Sequence, residues 1–422
     1  MASQWSGLLM LLALAGVTMS IDRQARGDNA PPAESRASLA EKARHYFTTD
    51  ELARGRAYAR GRYLLYGVRM IVTLGLFGLL TLTPLSAKIG DLSVSMTGGR
   101  VWLTVGLYGL MVAALYHVVT FPVSLYGGFV REHLFGLSRQ TLAAWSGDYL
   151  KAMLVNTVIL LPLLIVLYAF IRRDPVRWYL PVWIVVVLVM TVLAELSPIL
   201  FDPLFHTFRP VQDQQLVNRL RILSDRAGLT VGPILEIDAG RKTTKTNAYF
   251  TGFGRARRIV LYDTLLAAST PEEVELIVAH ELGHWRRHHI WKGMALSAVS
   301  ALGTLWLIAR LLRMAADSGR FGFIHPADPR SLPFVLLLLL VLAILTTPIR
   351  MAISRAFERE ADRESLRLTA NPRAFIDSEV VLARSNLSDV DPPRAVVWLL
   401  YTHPPILERI AMAEAYLAQQ RQ

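Results

Sequence analysis

A chain of 422 residues with 53% hydrophobic content, 18% charge and a mean hydropathy of +0.36 is too apolar for an ordinary set of soluble domains and fits a multispan membrane protein. The net charge of +12 does not point to nucleic acid, because the basic residues are spread over loops without a basic face bearing interleaved aromatics. Zero cysteines exclude disulfides, thiol nucleophiles and cysteine-type zinc sites, so any metal has to sit on His, Asp or Glu.

Apolar runs long enough to cross a hydrocarbon core of about 30 Å occur at residues 5–21, 64–85, 101–121, 152–171, 178–196, 293–309 and 332–349. The first has the length and small-residue end of a signal peptide, but no basic segment precedes it and Arg23 and Arg26 follow directly; it reads as a retained span with its N-terminus outside. The run 293–309, roughly 25 Å of helix, needs its flanking Trp291, Lys292 and Arg310 to complete a crossing. If all seven runs span, the segment 22–63, with nine Lys or Arg, faces the opposite side from three short loops holding two, three and four. The excess marks its side as cytoplasmic. The cations are 39 Arg to 6 Lys, a skew that physical need does not explain and that reads as the codon bias of a GC-rich bacterial genome, hence an inner-membrane location; in a eukaryotic host the membrane would be that of the endoplasmic reticulum.

The chain divides into a membrane region with five spans (1–196), a polar segment (197–289), a hairpin of two spans (290–349) and a polar tail (350–422). In the polar segment, residues 211–228 carry apolar positions at 216, 217, 220, 223 and 227, an amphipathic helix ended by Gly228. Three strand-like runs follow, ILEID from 234, TNAYF from 246 and RRIVLYD from 257, with turn-like separators AGRKTTK and TGFGRA; they predict a small antiparallel sheet. Thr270, Pro271 and Glu273 then supply an N-cap, a first-turn proline and a capping-box glutamate. The helix they start carries VAHELGHW from Val278 to Trp285.

Side chains four apart on a helix are neighbours, so His280 and His284 can converge on one ion, while Glu281, about 100° round the helix, reaches a water on the metal's open face without binding the metal. A chain of this composition contains H-E-x-x-H by chance on the order of once in a hundred, so an incidental polar helix face is a weak alternative. The extended motif of metzincins is excluded, since its Gly and His positions hold Arg287 and Ile290. The third ligand then has to come from elsewhere, and SRAFEREAD at 354–362, directly after the last span, offers Glu358. Two spans joined by a short loop are antiparallel neighbours, which brings the end of the last beside the start of the one before. Asp362, one turn beyond Glu358, is placed to orient a ligand imidazole. Glu360 and Glu364 are competing carboxylates that also read as surface charges. His288 is either a further ligand or part of a polar collar with His289, Arg286 and Arg287 where helix meets membrane. By spacing alone, HPPILER at 403–409 reads as a Pro-Pro turn before a last helix.

These motifs together resemble the integral-membrane zinc metalloproteases of the CAAX prenyl protease family, of gluzincin type. The resemblance rests on HELGH at 280–284, SRAFEREAD at 354–362, NAYFTGFGRARRIVLYDTLL at 247–266, REHLFGLSRQT at 131–141, RSNLSDVDPP at 384–393 and THPPILER at 402–409, in that family's order. It implies an otherwise all-α membrane protein of seven transmembrane helices forming a chambered barrel, with a small α+β zincin-like catalytic part. It implies one zinc ion per chain on His280, His284 and Glu358, with Glu281 as general base and Asp362 behind a ligand. His403 and Arg409 would contact the substrate or the tetrahedral intermediate, and Asn247 would anchor the substrate backbone, in keeping with strand addition beside the zinc helix. The partners implied are the bilayer and a peptide or protein substrate, C-terminally prenylated in the reaction that names the family. Two other readings compete: a quality-control protease of the heat-shock membrane type, and a non-catalytic lipid- or metal-binding protein, against which the intact Glu281 speaks.

Overall fold

The computed structural model describes residues 36–252 and 257–421; the apolar run at 5–21 lies outside them. Helix α1 (Arg36–Tyr46) leads into α2 (Thr49–Leu82), whose start is fixed by a capping box in which the Glu51 carboxylate accepts the Thr48 N–H at 2.8 Å. At 34 residues α2 is roughly 51 Å long, so its Arg- and Tyr-rich first half projects beyond a core of about 30 Å. A short α3 (Leu85–Thr97), roughly 20 Å, cannot cross and lies at the far end. Helix α4 (Val101–Leu125) runs on through a π-helical turn (Tyr126–Val130) to Leu134, and α5 (Leu142–Arg173) and α6 (Tyr179–Leu200) follow.

Beyond the polar segment come α10 (His289–Ser318) and α11 (Leu332–Thr369). Among the described residues, α2, α4, α5, α6, α10 and α11 are the six helices long and apolar enough to span, matching the last six predicted runs. Alternation puts the start of α2, the α4–α5 connection, the polar segment and the whole tail on one side of the membrane. Helix α11 is continuous for 38 residues, roughly 57 Å, so about its last 18 residues stand clear of the hydrocarbon and carry SRAFEREAD out with them.

The spans are joined by two apolar clusters. One gathers Leu80, Tyr108, Val112 and Tyr168 from α2, α4 and α5 against the start of α11, and the other gathers Ile171, Trp178, Ile308 and Leu312. Buried hydroxyls inside the first cluster are satisfied, Tyr108 by Ser86 Oγ at 2.6 Å and Tyr168 by Ser331 Oγ at 2.9 Å.

In the polar segment, α7 (Gln214–Arg226) is capped by the Asp213 carboxylate and buries Leu216, Val217, Leu220 and Leu223, as the predicted pattern requires. It covers a four-stranded sheet of order β1-β2-β4-β3, made of β1 (Phe208–Pro210), β2 (Ile234–Ile237), β3 (Ala248–Thr251) and β4 (Arg258–Tyr262). The predicted antiparallel sheet is corrected here: β2 and β4 are parallel, β1 was missed, and only the β1–β2 and β4–β3 pairs are antiparallel. The reason is that AGRKTTK is no hairpin turn; it leaves the sheet and returns so that β3 pairs on the far side of β4. That crossover leaves β3 as an edge strand beside the site. After α8 (Asp263–Ala268) comes α9 (Pro271–Arg286), which packs its buried Val274, Val278 and Leu282 on the sheet. The tail adds α12 (Pro372–Ser385), α13 (Arg394–Leu400) and α14 (Ile406–Gln420), and α1, α12 and α14 share a core of Ala43, Phe375, Leu407 and Ile410.

Candidate active site

Helix α9 begins as its sequence dictates: the Glu273 carboxylate accepts the Thr270 N–H at 2.7 Å, with Pro271 in the first turn. Two turns on, His280 and His284 face the projecting part of α11. His280 Nε2 lies 3.1 Å from His284 Nε2 and 3.1 Å from Glu358 Oε2, and His284 Nε2 lies 3.6 Å from the same oxygen. Three ligand atoms on a tetrahedral zinc with bonds of about 2.0–2.1 Å stand about 3.3 Å apart, so this triangle fits one such ion. Two imidazole nitrogens and a carboxylate oxygen aimed at one point repel unless a cation lies between them. Burial opposes a charge on His280, yet the hydrogen bonds to Asp362 and Glu358 outweigh it and push its pKa up to about 10. The site is built to hold positive charge.

Each imidazole is braced from behind. His280 Nδ1 donates to Asp362 Oδ1 at 2.8 Å, the arrangement expected for that aspartate. Asp362, fully buried, is in turn gripped by Arg409, whose Nε reaches Oδ2 at 2.9 Å and whose second guanidinium nitrogen reaches Oδ1 at 2.5 Å; the third donates to Glu379 at 2.7 Å. Arg409, expected at the substrate, is 8% exposed here, with its donors committed to two buried carboxylates. Burial opposes its charge, but Asp362 and Glu379 more than compensate and raise its pKa further.

The support of His284 was not foreseen. Its Nδ1 meets Nδ1 of His289 at 3.0 Å, and His289 Nε2 donates to Glu360 at 3.1 Å while its ring stacks 4.4 Å from Phe357. Helical spacing hid this pair, because His289 is five residues beyond His284. The chain breaks at His288, which adopts φ 57° and folds His289 back beneath the metal-facing ring. His288 itself is exposed and outside the triad, so the ligand alternative fails for it. Glu364, read as a surface charge, is buried and pairs with Arg287 at 2.6 Å, tying the end of α9 to α11.

Of the remaining predicted residues, Glu281 is partly exposed beside the triad, and His403 reaches Glu358 Oε2 with Nε2 at 3.0 Å from a side chain that is 54% exposed. The Pro404–Pro405 turn delivers His403 there while α14 carries Arg409 behind, so one heptapeptide serves both sides of the triad. Asn247 is exposed at the entrance to β3. Its carbonyl accepts from Tyr262 N–H at 3.1 Å, and its side-chain oxygen accepts from Ala248 N–H at 3.0 Å. Ladder alternation turns the Ala248 and Phe250 backbone groups towards the free edge.

Residues 210–417 match the family model of peptidase family M48, and residues 32–207 match that of the CAAX prenyl protease N-terminal region, five membrane helices. An uncharacterized metalloprotease, YhfN, of Bacillus subtilis is 30% identical over 92% of this chain and 91% of its own length. CAAX prenyl protease 1 of Saccharomyces cerevisiae is 28% identical over 74% of this chain and 72% of its own. The crystal structure of S. mikatae Ste24p shares the fold, with a TM-score of 0.80 over 96% of this chain and 97% of that one at 23% identity. Taken with the helices long enough to span and the metal-fitting triad, these matches show that the chain belongs to peptidase family M48, as an integral-membrane metalloprotease of the CAAX prenyl protease type.

Proposed function

We propose that the chain is a zinc endopeptidase that cleaves extended peptides laid along the free edge of β3, with its catalytic face in the cytoplasm of a bacterium. The observation that carries the reading is the triangle of His280, His284 and Glu358 atoms, drawn from two separate helices, with each imidazole held by its own partner. Zinc held there would supply a Lewis acid and lower the pKa of bound water towards about 7. Glu281, next to the first ligand and partly exposed, takes the proton of the attacking water and returns it to the leaving amine. His403, on the open side, donates to the oxyanion of the tetrahedral intermediate, a contribution of about 3 to 4 kcal/mol for donors of this kind. Asn247 frees its side-chain oxygen from the Ala248 N–H so that its carboxamide meets the substrate backbone, and the edge of β3 pairs with that backbone. Arg409 acts indirectly by holding Asp362, and through it the ring of His280.

The membrane region seats the site at the ends of its spans, where a membrane-associated peptide can reach it. The excess of basic residues over 22–63, which includes the projecting start of α2, supports the cytoplasmic orientation. The relatives named for prenylated substrates extend that substrate class to this chain as part of the proposal. The test is to measure zinc per chain and cleavage of matched farnesylated and unmodified peptides by the purified protein and by Glu281→Gln. Retained zinc with cleavage lowered by about 10²- to 10⁴-fold supports the mechanism, and unchanged cleavage removes Glu281 from it. Equal rates on the two peptides would withdraw the prenyl requirement while leaving the peptidase.

A further inference from the structure

Two motifs singled out in the sequence, REHLFGLSRQT and RSNLSDVDPP, supply nothing to the triad. Both converge on residues 242–246, the loop that leads into β3. From the first motif, Leu137 carbonyl accepts from Thr244 N–H at 3.1 Å and from Thr243 Oγ1 at 2.8 Å, and Arg139 N–H donates to Lys242 carbonyl at 2.9 Å. This is a two-residue ribbon between a membrane loop and the catalytic segment, bridged at Ser138 and Thr243. Lys245 then reaches Glu132 at 2.7 Å and the Tyr58 hydroxyl at 2.9 Å, and that hydroxyl donates to the other Glu132 oxygen at 2.6 Å. Tyr58 belongs to the projecting half of α2.

From the second motif, Asn386 bonds the backbone of Thr246 on both sides: its side-chain oxygen accepts the N–H at 3.2 Å and its amide donates to the carbonyl at 3.2 Å. An asparagine so placed stands in for a neighbouring strand, at the residue before Asn247. The motif is itself seated on α2, for a methyl group on Gly55 would lie 2.5 Å from Ser388 carbonyl.

Strand β3 itself is held in the sheet by its pairing with β4, whereas these contacts act on the loop that leads into it. What the bracing fixes is the free edge that follows. We propose that Lys245 and Asn386 are positioning residues for the substrate: Lys245 through Glu132 and Tyr58, and Asn386 through Thr246, hold the edge of β3 at a set distance from the triad. The inference rests on the reading that the substrate pairs with that edge.

The test uses the full-length protein in a membrane mimetic, with an extended peptide and a truncated one that keeps two residues on each side of the scissile bond. For Lys245→Met and Asn386→Ala, KM on the extended peptide is expected to rise about tenfold while kcat changes by less than about twofold, with the truncated peptide unaffected and Lys245→Arg restoring KM. A role in folding alone would lower kcat on both peptides together without rescue by arginine, and that result overturns the proposal. So does an unchanged KM in both variants when Asn247→Ala raises it. If Asn247→Ala also leaves KM unchanged, strand addition itself is wrong and the proposal falls with it.

Discussion

Gly283 lies against the backbone of Ala361: a methyl group on the glycine would sit 3.0 Å from the alanine carbonyl oxygen and 3.1 Å from its Cα. The two helices that carry the triad therefore touch main chain to main chain, within the motif that supplies both histidines. The glycine of HELGH is a packing requirement, since the position is helical and asks for no unusual φ.

Gly283→Ala is expected to separate function from stability. Forced overpacking costs about 1 to 3 kcal/mol, and exchanging a helical glycine for alanine returns about 1 kcal/mol, so the chain still folds. The helices, however, must part by a few tenths of an ångström, which moves both imidazoles relative to Glu358. Zinc affinity is expected to fall by about tenfold, the low end of what disturbed ligand support costs. Chelator competition beside a thermal midpoint checks this; an unchanged affinity would show that the contact is incidental.

Arg409→Ala leaves Asp362 and Glu379, at 0% and 2% exposure, buried without their shared cation. Breaking such a pair costs about 3 to 5 kcal/mol, a large part of the roughly 5 to 15 kcal/mol that holds a typical fold. Arg409→Lys keeps the charge but loses the fork that spans both Asp362 oxygens, and is expected to fall between wild type and alanine in thermal midpoint. Were Arg409 a substrate contact instead, the alanine variant would keep its midpoint and lose only catalysis.

The legible part of this protein was what local periodicity and short motifs encode. Apolar runs gave six spans, and the Thr270 cap gave the start of the metal-facing helix. Glu358 was reachable because a membrane hairpin has one geometry. What failed was whatever depends on how segments cross. The parallel pairing of β2 and β4 is set by a crossover whose residues look like an ordinary turn. The partnership of His289 with His284 is set by one left-handed residue, His288, which no glycine announces. The grip of Arg409 on Asp362 and Glu379 was not legible, because a motif records which residues are present and not which way α14 turns them.

His289→Ala is expected to weaken zinc binding by about 10- to 100-fold, the usual consequence of removing the group that orients a ligand imidazole. His289 is buried between His284, Phe357 and Glu360, so part of any loss could come from packing. Glu360→Gln separates the two: it keeps the shape, removes the carboxylate that fixes the His289 tautomer, and is expected to give a smaller loss in the same direction. The spectrum of the cobalt-substituted protein reads the ligand geometry directly. A spectrum and affinity identical to wild type in both variants would leave His289 as filler.

Removing the metal exposes the proton affinity of the same cluster. Burial alone would keep His280 neutral, but Asp362 and Glu358 hold its pKa up to about 10 in the folded, metal-free protein. An unfolded histidine titrates near about 6.5. Between these values the folded chain keeps a proton that the unfolded chain has released, so this stabilisation is complete below about pH 6.5 and is lost as pH rises towards about 10. Zinc must displace that proton, so apparent zinc affinity is expected to increase with pH across the same window. Thermal midpoints of the chelator-stripped protein from about pH 6 to about pH 9.5 should decline, and His280→Gln should flatten the decline. A wild-type midpoint that rises with pH over this range would mean that the imidazole is neutral when the site is stripped, and that the two carboxylates do not hold it as the geometry indicates.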